Sequence, residues 1–220
     1  EYRNCYEPSW GRHKARTRPV VGNHEYGTSG AAGYFGYFGT AAGTAGEGFY
    51  SYDLGAWHVV VLNSNCGAVS CSVGSAQEKW LRADLAASQA ACTVALWHHP
   101  RFSSGSHGND LSVQPLWNAL YEYGAELVLN GHDHTYERFA PQRPDGTLDN
   151  AHGIREFVIG TGGRPLYSFN AIKPNSEARN NTVFGVLRLT LRSGSYDFRF
   201  VPEAGGTYTD SGSASCHGRP

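Results

Sequence analysis

At 220 residues and a formal charge of −1, with 40 % hydrophobic and 17 % charged residues, the chain can bury one sizeable core and lacks the composition of a disordered segment. A pI near 6.9 argues against a protein that grips nucleic acid by neutralising its phosphates, and no stretch approaches the ~18 apolar residues of a membrane span. The 5 cysteines lack zinc-finger spacing, and together with 0 methionines and abundant Gly and Ala they fit a secreted protein better than a cytosolic one.

In chain order, residues 19–21 form a short β-branched run read as a buried strand, followed at once by Gly22-Asn23-His24-Glu25. Residues 27–48 are Gly- and Ala-rich with paired aromatics, and read as a surface insertion whose Tyr34, Phe35, Tyr37 and Phe38 pack down onto the domain. A second strand is expected at 57–62. Cys66 and Cys71 then bracket a Gly/Ser-rich loop suited to a small disulfide. Ser75-Ala76-Gln77-Glu78 has capping-box form, with Trp80, Leu81 and Leu85 following on one helical face. A strand at 93–97 runs into His98-His99-Pro100. A helix is expected over 113–123, with Ser112 as cap, Pro115 in its first turn and Gly124 as stop.

The strand at 126–129 ends at Asn130-Gly131-His132-Asp133-His134, and the strand at 156–159 precedes Gly160-Thr161-Gly162-Gly163. Strand and helix alternating over 57–129 is an α/β pattern, whereas 183–191 and 196–201 alternate like an antiparallel hairpin. Residues 1–202 read as one domain and 203–220 as a polar C-terminal tail.

Three times a buried strand ends and histidines begin. In open α/β sheets the carboxyl ends of strands are where loops converge on a ligand, so the three clusters should meet in space. One His-x-His is commonplace in any loop. Three such clusters at successive strand ends predict a metal site, because imidazole nitrogen and amide oxygen suit Zn, Fe or Mn. Asn23, His98, His132 and His134 are the expected donors.

"GNHE", then His-x-Pro after an apolar strand, then "GHDH", in that order and with "GTGG" after a later strand, resembles the calcineurin-like metallophosphoesterase superfamily, in its purple acid phosphatase-like branch. The resemblance implies an α/β fold, a β-sandwich flanked by helices. It implies hydrolysis of phosphate esters, monoester or diester, by a metal-activated hydroxide at a two-metal site holding Zn, Fe or Mn. By motif, Asn23, His98 and His132 would bind the second metal and His134 the first. His24 would face the phosphate, and His107 would stand near the leaving group as a proton donor. His99 and Arg164 are weaker substrate contacts. Asp133, Glu25 and Glu137 would orient their neighbours rather than bind. The partner expected is a small phosphate ester, with no nucleic acid and no membrane.

The family's two earlier motifs do not occur. An Asp-x-Gly or Asp-x-His and a Gly-Asp should precede "GNHE", followed in the purple branch by a tyrosine ligand, and residues 1–22 contain no aspartate. The bridging carboxylate and the first βα units are thus expected from an upstream segment of the same protein, with which Cys5 would pair. Without them a strand edge and apolar surface should lie open. The alternative is a catalytically degenerate binding module, or an inactive fragment of the full enzyme. A zinc-stabilised structural domain fits less well, since such sites use closed sets of Cys and His at short spacing.

Overall fold

The computed structural model describes residues 2–218. Among the described residues, ten strands and four α-helices alternate with short 3-10 turns. After a helical turn α1 (Glu7–Ser9) come α2 (Ala32–Phe38), β1 (Tyr50–Leu54), β2 (Trp57–Val61), α3 (Ala76–Ala87) and β3 (Cys92–Leu96). Next are α4 (Gln114–Glu122), β4 (Leu127–Asn130), β5 (Tyr136–Phe139), β6 (Arg155–Ile159) and β7 (Ser176–Asn180). The chain finishes with β8 (Gly185–Leu191), β9 (Ser195–Pro202) and β10 (Ser211–Ser215).

A 7-stranded sheet has the order β1-β2-β3-β4-β6-β5-β7, and a 3-stranded antiparallel sheet the order β10-β9-β8. β2, β3, β4 and β6 are mutually parallel. Apolar residues line both faces, as strands covered twice require, with His58, Thr93 and Glu156 as buried polar exceptions. One face packs on α3 and α4 through Val60, Ala95, Val128, Leu81, Leu116 and Trp117. The other meets the small sheet through Trp57, Val94, Leu127 and Phe157 against Tyr196, Phe198 and Phe200. This is the sandwich flanked by helices that the sequence implies.

The local signals are mostly borne out. Ser75 Oγ accepts from the Glu78 N–H at 3.2 Å, so the capping residue of α3 is the expected one. Gly124 closes α4 with φ +73, a conformation that strains any side-chain-bearing residue. Tyr34, Phe35 and Phe38 lie buried with Val21 in a separate aromatic cluster. The insertion they anchor includes the helix α2.

Three readings need correction. Residues 19–21 are not a strand. β1 and β3 occupy both edges of β2, and the Pro19 carbonyl accepts from the hydroxyls of Tyr34 and Tyr50 at 2.9 and 2.8 Å. Ser112 does not cap α4: Val113 occupies that position, and the Ser112 hydroxyl donates to Asp110 Oδ1 at 2.6 Å instead. The stretch read as a polar tail supplies β10, and Cys216 is joined to Cys92 at the start of β3. Its pairing is backbone hydrogen bonding to β9, which needs no apolar side chains and so left no hydrophobic pattern. Cys66 and Cys71 form the expected disulfide, and Cys5 is free and exposed. A cleft of about 370 Å³ opens between the sheets, lined by Val20, Leu96, His98, Leu129, Ile159 and Leu187 among others.

Candidate functional site

The parallel ladder continues for one residue past β3 and β4, and this sets the site. Trp97 N–H donates to the Leu129 carbonyl at 3.2 Å, and Gly131 N–H to the His98 carbonyl at 3.1 Å. Asn130 Nδ2 donates to the Trp97 carbonyl at 2.9 Å. His98 and His132 therefore leave adjacent strand ends side by side. His132 has φ +63, a left-handed conformation that is unfavourable for a histidine and is held by the tied strand end.

Asn23 arrives from the other direction, beyond the buried Val21. Its Oδ1 lies 2.8 Å from His98 Nε2, and His132 Nδ1 lies 3.1 Å from the same nitrogen. The close fit depends on Gly22, where a Cβ would sit 3.0 Å from the His98 ring. Glu25 stabilises the turn by accepting from the Gly22 N–H at 2.9 Å and from the Tyr2 hydroxyl at 3.1 Å. It is an orienting residue, as expected.

Asp133 points away from the imidazoles. It is buried and accepts from the Ser103 hydroxyl and, at 2.9 Å, from the His107 N–H. Glu137 accepts from the Ser104 N–H at 2.8 Å, and Glu156 from the Arg101 N–H at 2.9 Å. Burial holds the Glu156 carboxyl well above its usual range. These carboxylates fasten the 101–107 loop over the strand ends. The His107 ring is thereby set 4.2 Å from that of His132.

His134 Nδ1 is 2.9 Å from the Pro165 carbonyl, a distance that makes it the donor, and its ring stacks on Tyr167 at 4.0 Å. Its Nε2 is left for a ligand. His24 is exposed beside Asn23, near enough to His98 for the two charges to repel. Arg164 is exposed in the loop that carries Pro165. His99 Nδ1 lies 2.8 Å from Ser64 Oγ, which also accepts from the His99 N–H at 2.9 Å.

Sequence reasoning missed Ser64, Ser103, Pro165 and Tyr167. Ser64 had a usable signal, because β2 also ends in polar residues, Asn63-Ser64-Asn65, beside β3. Tyr167 had none.

The donor set suits a cation. Asn23 Oδ1 and His132 Nδ1 converge on one ring nitrogen of His98, at 2.8 and 3.1 Å, so three atoms able to offer lone pairs share one point. Burial and then the neighbouring imidazoles push His98 down to about 3 and His132 down to about 4, and burial also lowers His99. All three are neutral near pH 7, as metal ligation requires. Among the described residues, ligand nitrogens of His98, His99 and His132 lie within 4.8 Å of one another, with no carboxylate in the group. The residues thus fit one ion. For a second, His134 is the donor at hand.

Comparison with known proteins bears on the family and the fold. The chain matches the calcineurin-like phosphoesterase family over residues 2–136. It is 33% identical over 103 residues to purple acid phosphatase 15 of Arabidopsis thaliana, covering 44% of this chain and 19% of that protein. It is 31% identical over 158 residues to purple acid phosphatase 23 of the same plant, covering 62% and 34%. The structure of the purple acid phosphatase PPD1 from yellow lupin (Lupinus luteus) seeds superposes with a TM-score of 0.77 at 20% identity, over 90% of this chain and 38% of that one. The chain thus spans about a third or less of the length of these curated relatives.

Proposed function

The chain belongs to the calcineurin-like phosphoesterase family, with its relatives in the purple acid phosphatase-like branch, and from that premise we propose that its histidine centre hydrolyses phosphate esters with bound metal. The observation that carries the reading is the meeting of Asn23, His98 and His132 at one ring nitrogen with His107 alongside. Metal held there would supply Lewis acidity toward phosphate oxygens and would lower the pKa of coordinated water.

The protein's own part divides by residue. Asn23, His98 and His132 would hold one ion, and His134, its Nδ1 bonded to the Pro165 carbonyl, would be the donor to a second. His24, exposed beside Asn23, stabilises charge on the phosphate. His107, exposed and with its ring 4.2 Å from that of His132, donates to the departing oxygen. Arg164 is a peripheral phosphate contact. The two disulfides favour an oxidising, extracellular setting.

The test is turnover of 4-nitrophenyl phosphate and of bis(4-nitrophenyl) phosphate by the full chain after loading with Zn²⁺, Mn²⁺ or Fe²⁺. We expect hydrolysis that a chelator abolishes and that His107→Ala lowers by roughly 10²-fold or more. Metal binding without turnover of either ester sinks the enzymatic reading. That result would favour a phosphate-binding module, the second reading, which the carboxylate-free donor group supports.

A further inference from the structure

We propose that Ser104 is a positioning residue, which locks the loop that carries His107 to the loop that orients His134 and so fixes both imidazoles at once. The part those imidazoles play rests on the phosphoesterase reading above. Their placement rests on hydrogen bonds of the fold.

The first argument is the number of segments that meet at one small side chain. Ser104 is wholly buried, at 0 % exposure, and so is Glu137 of β5. The Ser104 N–H donates to Glu137 Oε2 at 2.8 Å, and its hydroxyl to Glu137 Oε1 at 2.5 Å. The same hydroxyl oxygen accepts from the Lys173 N–H at 2.9 Å, and the Ser104 carbonyl accepts from the Asn170 N–H at 2.8 Å. Every polar group of the residue is engaged, partly with β5 and partly with the segment between β6 and β7. Buried bonds of this kind are costly to lose and reinforce one another. A serine that merely satisfied its own hydroxyl would need one partner.

The second argument is what those segments carry. Residues 164–175 have no strand or helix of their own, so their course depends on where they are tied. The first ties are at His134, whose Nδ1 faces the Pro165 carbonyl at 2.9 Å and whose own carbonyl accepts from the Tyr167 N–H at 3.0 Å. Asn181 Nδ2 then donates to the Tyr167 carbonyl at 3.0 Å, and the ties that follow, at Asn170 and Lys173, are both to Ser104. His107 lies three residues beyond Ser104 on the other loop. The Tyr167 ring stands 4.0 Å from that of His134 and 5.7 Å from that of His107. Slack at Ser104 therefore reaches both imidazoles. Misplacing a reacting group by about 1 Å costs on the order of 100-fold in rate.

The test compares the metal-free full chain with Ser104→Ala by NMR, following the ring Cε1–H signals of His107 and His134 and hydrogen exchange of the backbone amides. Both ring signals should shift, and the Tyr167 and Lys173 amides should exchange roughly 10-fold faster or more. Ring signals and amides that match the parent overturn the inference. Faster exchange spread evenly over β3 and the loop, with both ring signals unmoved, marks a serine that serves stability alone and also overturns it. A shift at His107 without one at His134 overturns the coupling. In the metal-loaded chain, kcat for 4-nitrophenyl phosphate should fall by roughly 10- to 100-fold with KM little changed, and an unchanged kcat overturns the inference. A parent that turns over no ester overturns the enzymatic reading instead, and the ring signals then decide the positioning. If Ser104→Ala loses its far-UV circular dichroism, Glu137→Gln, which removes one acceptor from Ser104, is read in its place by the same signals.

Discussion

A single glycine lets the segment after β6 pass directly against the backbone of the His132–His134 turn. At Gly160 a Cβ would lie 2.0 Å from the Asp133 carbonyl oxygen, a backbone atom that cannot swing aside. Gly162, two residues on, meets nothing within 4 Å. Gly160→Ala should therefore destabilise by the roughly 1–3 kcal/mol of an overpacked site, or more, while Gly162→Ala stays close to neutral. Urea midpoints of the two variants check the contrast, and equal midpoints would refute it. Gly105 makes the same kind of approach to the Asp133 carboxylate, with 2.4 Å between its notional Cβ and the carboxyl carbon. None of these contacts could be read from "GTGG" or "SSGSH", because a glycine in sequence does not say which backbone crosses it.

Elements are tied together by buried polar groups as well as by the core. His58 on β2 is 6 % exposed. Its Nδ1 is 2.8 Å from Asp53 of β1 and its Nε2 is 2.8 Å from Asp84 of α3. Asp84 also accepts from Ser51 of β1 at 2.7 Å. Carboxylates only accept, so both ring nitrogens must donate and the ring is an imidazolium. Its pKa is raised above 6.5, chiefly by the hydrogen bond to Asp84 and against the opposing effect of burial. A group with a raised folded pKa contributes stability that is complete below its unfolded value of 6.5. That contribution disappears as pH climbs through the higher folded value. Stability should accordingly fall as pH is raised above 6.5 and through the higher folded value. Asp84→Asn should remove most of the His58 share of that slope. Urea midpoints against pH measure this, and an unaltered slope in Asp84→Asn would exclude the clamp. His58 belongs to no motif, so nothing local in the sequence marks it. The carboxylates that charge it sit on neighbours brought in by sheet pairing and helix packing.

At the scale of the whole molecule, Cys92–Cys216 links the start of β3 to the strand that closes the small sheet, across a sequence separation of 124. Cross-linking so long a loop restricts the unfolded chain by up to roughly 5 kcal/mol in the loop-entropy account. The double variant Cys92→Ser, Cys216→Ser should melt well below the parent, whereas Cys66→Ser, Cys71→Ser, whose separation is 5, should cost distinctly less. Calorimetry of the two pairs checks the order, and the reverse order would show that strain or packing, rather than loop length, decides. The disulfide also secures β10, a strand of Ser, Gly and Ala whose burial alone could not hold it.

The amino-acid order by itself determined the parallel strands, the capped helix α3, the hairpin β8–β9 and the histidines at strand ends, because period and punctuation are local and the site follows the strands. It also determined which residue types were available as ligands. Tertiary structure decided the rest. Residues 19–21 became an extended connection because β1, unremarked in sequence, took the open edge of β2. Asp133 turned from the imidazoles to the 101–107 loop, and Ser64 turned toward His99. Which of two adjacent side chains faces the centre depends on backbone angles at strand ends, such as the positive φ of His132. Those angles are set by hydrogen bonds from segments far away in the chain, and no local pattern encodes them.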